Sequence, residues 1–243
     1  MSLAGKTALI IGGGTGIGSG VALAFAAAGC QTVIAGRRED KLQQIAAKFS
    51  GQPAIQTRAA DVADRQGMQD LVDWTTALLG RIDILVNCAG INIPRRTMAD
   101  LDPADWDKLI AINTTGAYNA MRAVLPQMRQ RKDGLIINVS SIAGLRASML
   151  GGVAYSASKF AMTALGTCVG LEERNNGIRV TNVYPGEVET PILDARPVPV
   201  SAEHRARILQ PEDIASVLVA IAQLPPRAHV PDIVIKPTTQ EFC

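Results

Sequence analysis

Ala8-Leu9-Ile10-Ile11-Gly12-Gly13-Gly14-Thr15-Gly16-Ile17-Gly18 decides how the rest of the chain is read. Its first four residues are an unbroken apolar run of strand length, and a glycine cluster follows at once. Beyond the cluster, Ile17, Val21, Ala24, Phe25 and Ala28 recur at helical spacing, with Gly29 as a C-terminal stop. Strand, glycine turn and helix in this order suit a pyrophosphate: glycines let backbone N–H groups come close, and a helix start favours negative charge. A glycine cluster by itself is also an ordinary structural turn. Its position at the first strand-to-helix junction is what points to a dinucleotide.

The same alternation continues outward. Residues Ala8–Ile11, Thr32–Ala35, Ala54–Thr57, Ile84–Asn87, Leu135–Val139, Val180–Tyr184 and Ile233–Ile235 read as strands, with helical patterns between them. Each run is mostly apolar rather than alternating, which predicts strands buried on both faces of a mostly parallel sheet covered by helices on both sides. The expected fold class is therefore α/β, a single doubly wound Rossmann domain over residues 1–243 with a seven-stranded sheet. No linker or repeat divides the chain, and the proline-rich stretch Pro185 to Pro199 is expected to be a loop over the active site.

Composition narrows the function. A chain that is 47% hydrophobic and 19% charged is neither disordered nor fibrous. The balance of 24 basic against 22 acidic residues leaves no broad basic footprint for a nucleic acid, so small molecules are the expected partners. No apolar run reaches the ~18 residues of a membrane span, and MSLAGKTALIIGGG leads straight into a strand, so no membrane association and a cytoplasmic location are expected. Cys30, Cys88, Cys168 and Cys243 lie far apart, with only His204 and His229 to join them, which predicts free thiols and no metal site. Cys88 reads as a small buried hydrophobe rather than a reactive thiol.

At the end of the second strand, an NAD enzyme of this architecture places a carboxylate on the ribose 2′-OH. Here Gly36-Arg37-Arg38 stands instead, so a 2′-phosphate can meet Arg37 and Arg38, and NADP(H) is expected in preference to NAD(H). The bland alternative is two solvated arginines. Tyr155-Ser156-Ala157-Ser158-Lys159 puts a phenol and an ammonium on one helix face, where the cation favours the phenolate. Upstream, Asn138-Val139-Ser140-Ser141-Ile142-Ala143-Gly144 sets a hydroxyl at the carboxyl edge of the sheet. Taken singly, these are a surface-helix pair and a turn.

Together and in this order, Gly12-x3-Gly16-x-Gly18, Asn87-Cys88-Ala89-Gly90, Asn113, Ser141 and Tyr155-x3-Lys159 resemble the short-chain dehydrogenase/reductase family, over residues 3 to about 190. Ile11 and Cys88 depart from the family's Thr and Asn, and Ser141 stands one residue further from Tyr155 than usual. The resemblance implies an oxidoreductase moving a hydride between NADP(H) and a carbonyl or secondary alcohol, with Tyr155 as general acid and base, Ser141 and Lys159 beside it, and Asn113 holding a water in a proton relay. An Asn that merely bends its helix is the alternative. It further implies cofactor contacts at Gly12, Gly14, Thr15, Gly16, Ile17, Gly18, Asn87, Ala89 and Gly90, adenine contacts at Asp61 and Val62, and nicotinamide contacts at Pro185, Gly186, Val188 and Thr190, presenting the pro-S hydride. Asp61 reads equally as a helix N-cap.

Substrate selection is expected in loops 91–97, 142–154 and 186–209. Leu145, Met149, Leu150, Ile192 and Leu193 suggest a partly apolar pocket. Arg95, Arg96 and Arg146 offer anchors for a carboxylate, but exposed arginines serving solubility are the preferred reading. The ending Ala228–Cys243 looks like the branch of NADP-dependent carbonyl and hydroxy-acid reductases. A homo-oligomer, dimer or tetramer, is implied, with interfaces on the helices around Trp106–Met121 and Tyr155–Leu171. Two rivals are an NADP-binding redox sensor, which has no need of Ser141, Tyr155 and Lys159 together, and a nucleotide-sugar epimerase, which needs a larger C-terminal region than the stretch after Thr190.

Overall fold

In the computed structural model, which describes residues 2–241, the strands are β1 (Thr7–Ile11), β2 (Gln31–Gly36), β3 (Gln56–Ala59), β4 (Ile84–Asn87), β5 (Gly134–Val139), β6 (Ile178–Pro185) and β7 (Asp232–Ile235). They pair in parallel as one sheet in the order β3-β2-β1-β4-β5-β6-β7. The helices are α1 (Gly16–Ala27), α2 (Glu39–Ala46), α3 (Arg65–Leu79), α4 (Pro103–Leu109), α5 (Gly116–Arg131), α6 (Val153–Glu173), α7 (Ala202–Arg207) and α8 (Pro211–Ala222). The chain reverses its direction of travel across the sheet between β1 and β4, which opens a crevice at the carboxyl ends of those strands.

Strand β1 explains the layering. Ala8 and Ile10 enter a core with Val21 and Phe25 of α1 and Ile214 and Leu218 of α8, while Leu9 and Ile11 enter another with Met68 and Leu71 of α3, Val124 of α5 and Met162 of α6. An apolar run without alternation is what two such cores require. Each buried Leu, Ile, Val or Phe contributes about 1.5–3 kcal/mol, so the central strands are held from both sides.

The two edge strands depart from this expectation. β3 and β7 are partly exposed, because each has a neighbour on one side only. β3 also begins two residues later than the apolar pattern Ala54–Thr57 suggests. Ile55 is buried before the strand starts, whereas the pairing with β2 runs from Val33↔Gln56 to Gly36↔Ala59. Apolarity marked burial there, and backbone pairing marks the strand.

Between α4 and α5 a π-helical turn, Ile110–Thr115, adds a residue to the helical path. It turns Asn113 wholly inside. No helix among the described residues is long and apolar enough to cross a membrane.

Candidate active site

A cavity of about 490 Å³ opens at the carboxyl ends of the central strands. Its floor is the glycine turn, of which Gly12, Gly14, Thr15, Gly16 and Ile17 line it. Gly12 has φ of 85°, and a Cβ there would lie 2.7 Å from the Ala89 backbone nitrogen, so no side chain fits. Gly18 lines no part of the cavity; a Cβ on it would stand 2.3 Å from the Gly12 oxygen, which makes it the packing residue behind the turn. Thr15, the N-cap of α1, makes no capping bond with its side chain, and Gly16 and Ile17 of the first turn, whose N–H groups have no partner within the helix, line the cavity. A backbone cradle with open N–H groups at a helix start fits a dinucleotide pyrophosphate.

At one end of the cradle stand Arg37 and Arg38, both exposed, and the Arg38 guanidinium reaches the Thr15 hydroxyl at 3.5 Å. Lys41, on the first turn of α2 and not foreseen from sequence, also lines this end. Asp61 and Val62 line it too. Asp61 is not the cap of α3: its carboxylate accepts from the Ala63 N–H at 3.0 Å within the preceding turn, and Asp64 caps the helix.

Deeper in, Ser141, Tyr155 and Lys159 converge on the same cavity. The two adjacent serines separate by environment. Ser140 is buried, with its hydroxyl bound to the Lys159 carbonyl and Thr163, whereas Ser141 opens a short 3-10 turn, Ile142–Gly144, and hydrogen-bonds the Tyr155 phenol. Burial pushes the Tyr155 pKa up, against the lowering influence of Ser141 and then of Arg96. Burial pushes Lys159 down to about 8. Its Nζ donates to the Val139 carbonyl at 2.9 Å and sits 5.8 Å from the Tyr155 ring centroid. The expected lowering of the phenol by Lys159 is not among these influences: desolvation leads, and the lowering contributions come from Ser141 and Arg96.

Two residues assigned from sequence turn away from the cavity. Asn87 is buried and donates to Asn138 Oδ1 at 2.9 Å; Asn138 in turn reaches Asn182 Oδ1 at 3.4 Å, and Asn182 reaches Asp232 at 3.4 Å. This polar row follows the register of β4 to β7 and ties the carboxyl edge together beneath the serines. Asn113 has its side chain fully engaged: Oδ1 accepts from the Ile91 N–H, and Nδ2 donates to the Ile91 carbonyl and Ser158 Oγ. It fastens the loop after β4 to α6. Ala89 and Gly90 line the cavity, as do Pro185, Gly186, Val188 and Thr190. Gln240, unforeseen from sequence, accepts from the Glu187 N–H and steadies the Pro185-Gly186 turn.

The Cys88 thiol, below the glycine turn, is pushed up to about 12 by burial. Cys30 and Cys168 are free, and Cys243 lies outside the described residues.

At the far end, Leu150, Ile192 and Leu193 line the cavity, but Leu145 does not, and Met149 belongs to a second, outer hollow. The three arginines of these loops part company. Arg95 is exposed beside Asp102 and Asp105, and Arg146 is exposed outside the cavity. Arg96 corrects the solubility reading. It is 8% exposed and lines the cavity, because the Ile93 carbonyl of its own loop and the Leu150 and Ala195 carbonyls of two distant segments draw its guanidinium inward.

Residues 6–198 match the family model described as short chain dehydrogenase. Oxidoreductase UcpA of Salmonella typhimurium is 37% identical over 95% of this chain and 84% of its own length. Glycine betaine reductase ATRR of Emericella nidulans is 35% identical over 97% of this chain, which spans only 19% of that protein. Among solved structures, serine dehydrogenase complexed with NADP+ superposes with a TM-score of 0.89 at 26% identity, covering 97% of this chain and 96% of the other. The 3-ketoacyl-(acyl-carrier-protein) reductase from Brucella melitensis complexed with NADH superposes with 0.87 at 27% identity, covering 97% and 98%. With the glycine cradle, the Ser141, Tyr155 and Lys159 cluster and these relationships in agreement, the chain belongs to the short-chain dehydrogenase/reductase family and is an oxidoreductase of it.

Proposed function

We propose that the protein transfers a hydride between NADP(H), in preference to NAD(H), and the carbonyl or secondary alcohol carbon of a small molecule. The observation that carries this reading is the convergence of Ser141, Tyr155 and Lys159 on the cavity floored by the glycine cradle. Bound there, the dinucleotide supplies or accepts the hydride. In reduction, Ser141 and Tyr155 donate hydrogen bonds to the carbonyl oxygen, and Tyr155 gives up its proton to that oxygen. Lys159 favours the phenolate so formed and holds the nicotinamide ribose. Asn113 is a positioning residue, fastening Ile91 of the loop after β4 to Ser158 of α6, and water held near it returns a proton to the site.

Pro185, Gly186, Val188 and Thr190 hold the carboxamide, and Asp61 and Val62 border the adenine. Arg37 and Arg38 take the 2′-phosphate, with Lys41 adding charge; structures of the same fold occur with NADP+ and with NADH, so the reading of preference rests on these side chains. Loops 91–97, 142–154 and 186–209 build the substrate end. A cytoplasmic setting accords with the free Cys30, Cys88 and Cys168. An assembly of two or four copies accords with exposed Tyr118 on α5 and exposed Phe160 and Leu171 on α6.

The test is oxidation of NADPH and of NADH, followed by absorbance, with the purified protein and a panel of diketones, aldehydes, oxo esters and oxo acids. NADPH-preferring turnover is expected. Binding of NADPH without oxidation across the panel would overturn the reading and favour a redox sensor.

A further inference from the structure

Arg96 is buried with no carboxylate beside it. Its Nε donates to the Ile93 carbonyl at 2.7 Å, Nη2 to the Ala195 carbonyl at 2.9 Å, and Nη1 to the Leu150 carbonyl. The guanidinium thus joins three segments around the substrate end: the loop after β4, the loop after β5 and the 3-10 turn Pro191–Ala195. Of the five N–H groups of an arginine, these bonds use three, leaving one on each terminal nitrogen. Carbonyls satisfy hydrogen bonds but do not neutralise a charge. Among the described residues, no carboxylate lies within ion-pairing distance of Arg96. The nearby Arg196 adds positive charge, and its own partner, Glu187, is shared with His204.

A buried, hydrogen-bonded but uncompensated cation is costly unless an anion comes to it. Arg96 lines the same cavity as Tyr155 and Ser141, and with Leu150 and Arg196 it also walls the outer hollow. An anion arriving from outside therefore meets the guanidinium in the cavity where the reacting oxygen meets Tyr155.

We propose that Arg96 selects substrates carrying a carboxylate, so that the physiological substrate is a short oxo acid or the corresponding hydroxy acid, anchored by the two remaining N–H groups while Ser141 and Tyr155 hold its carbonyl oxygen. This rests on the hydride-transfer reading above. Neutral carbonyl compounds of the same size would enter but would lack the anchor.

The experiment compares kcat/KM for acetoacetate with methyl acetoacetate, and for 2-oxobutyrate with methyl 2-oxobutyrate, using the full chain and saturating NADPH. At least one acid is expected to exceed its ester by at least about tenfold, the yield of a single charge-assisted contact. Arg96→Gln is expected to erase that preference by lowering turnover of the acid far more than of the ester, and Arg96→Lys, which keeps the charge, to retain most of it. Ester turnover equal to or above acid turnover in both pairs overturns the proposal while leaving the hydride-transfer reading intact. Equal losses for acid and ester in both variants also overturn it, since Arg96 would then only hold the loops. No turnover of any carbonyl with either nucleotide overturns the reading beneath it as well.

Discussion

Lys159 donates its 2.9 Å hydrogen bond to the Val139 carbonyl, not to Tyr155, and it does so from a site where burial holds its pKa at about 8 against an ordinary 10.5. The sign of the consequence follows from proton counting. Below about 8 folded and unfolded chains both carry the charge, and the burial penalty is present in full. Between about 8 and 10.5 the unfolded chain keeps a proton that the folded chain has released, so stability rises with pH. Across the whole window the gain is at most about 3 kcal/mol. Denaturation in urea at pH 7 and pH 10, without nucleotide, checks this by comparing the protein with Lys159→Met. The native chain should gain stability relative to the variant at the higher pH. A difference that stays constant would mean that burial does not penalise this ammonium.

The pairing of Ser141 with Tyr155 gives a second expectation. Because this hydrogen bond lowers the phenol against the rise caused by burial, removing it leaves the phenol still harder to ionise. Ser141→Ala should cut kcat by about 10²–10³ through loss of a donor to the reacting oxygen. It should also move the pH profile of alcohol oxidation, which needs the phenolate, to higher pH. Tyr155→Phe should lower kcat by at least about 10² with nucleotide affinity nearly unchanged. Rapid-quench kinetics and fluorescence titration with NADPH separate the two effects, and retained turnover in Tyr155→Phe would remove it from the proton-transfer role.

Arg37 and Arg38 sit exposed at the end of the cavity proposed to take the 2′-phosphate, where β2 ends in Gly36 and not in a carboxylate. One charge-assisted bond contributes about 1.5–3 kcal/mol. Arg37→Ser should accordingly reduce kcat/KM for NADPH by at least about tenfold and leave that for NADH little changed. Parallel losses with both nucleotides would show that the side chain shapes the turn rather than reads the 2′-phosphate.

What the sequence made legible was whatever depends on neighbours along the chain. The glycine turn, the five inner strands and the Tyr155-x3-Lys159 pair are local patterns, and the structure sets them where that reading puts them. What it concealed depends on register or on distant backbone. Asn87 and Asn138 stand at or next to the ends of apolar strands and Asn182 inside one, and only the pairing of β4, β5 and β6 turns them into one hydrogen-bonded row. Arg96 looks like Arg95 in sequence, and nothing local distinguishes them. The difference arises because Ile93, Leu150 and Ala195 present their carbonyls to one guanidinium and Asp102 and Asp105 flank the other. Gln240 is a similar case, reaching Glu187 across 53 positions of sequence.

The same substitution at two helical glycines should act with opposite sign, and this tests the cradle apart from any chemistry. A Cβ at Gly18 would stand 2.3 Å from the Gly12 oxygen and 3.2 Å from the Cys88 Cβ. Neither neighbour is free to withdraw, since Gly12 is held by its N–H to the Ala35 carbonyl at 2.8 Å and Cys88 by its N–H to the Ile11 carbonyl at 2.8 Å. Gly18→Ala must therefore displace the turn, at about 1–3 kcal/mol for overpacking a tight site, and NADPH affinity should fall with it. Gly170, inside α6, meets nothing closer than the Val180 Cβ at 3.4 Å. There alanine gains helix propensity and removes freedom from the unfolded chain, which favours folding by about 0.4–1 kcal/mol. Thermal unfolding of both variants, with NADPH titration alongside, should show Gly18→Ala lowered in both readouts and Gly170→Ala unchanged or raised in stability with its NADPH affinity intact. Gly18→Ala binding NADPH as tightly as the native chain would mean that the turn tolerates displacement, and the close packing behind it would then have no part in shaping the pyrophosphate site.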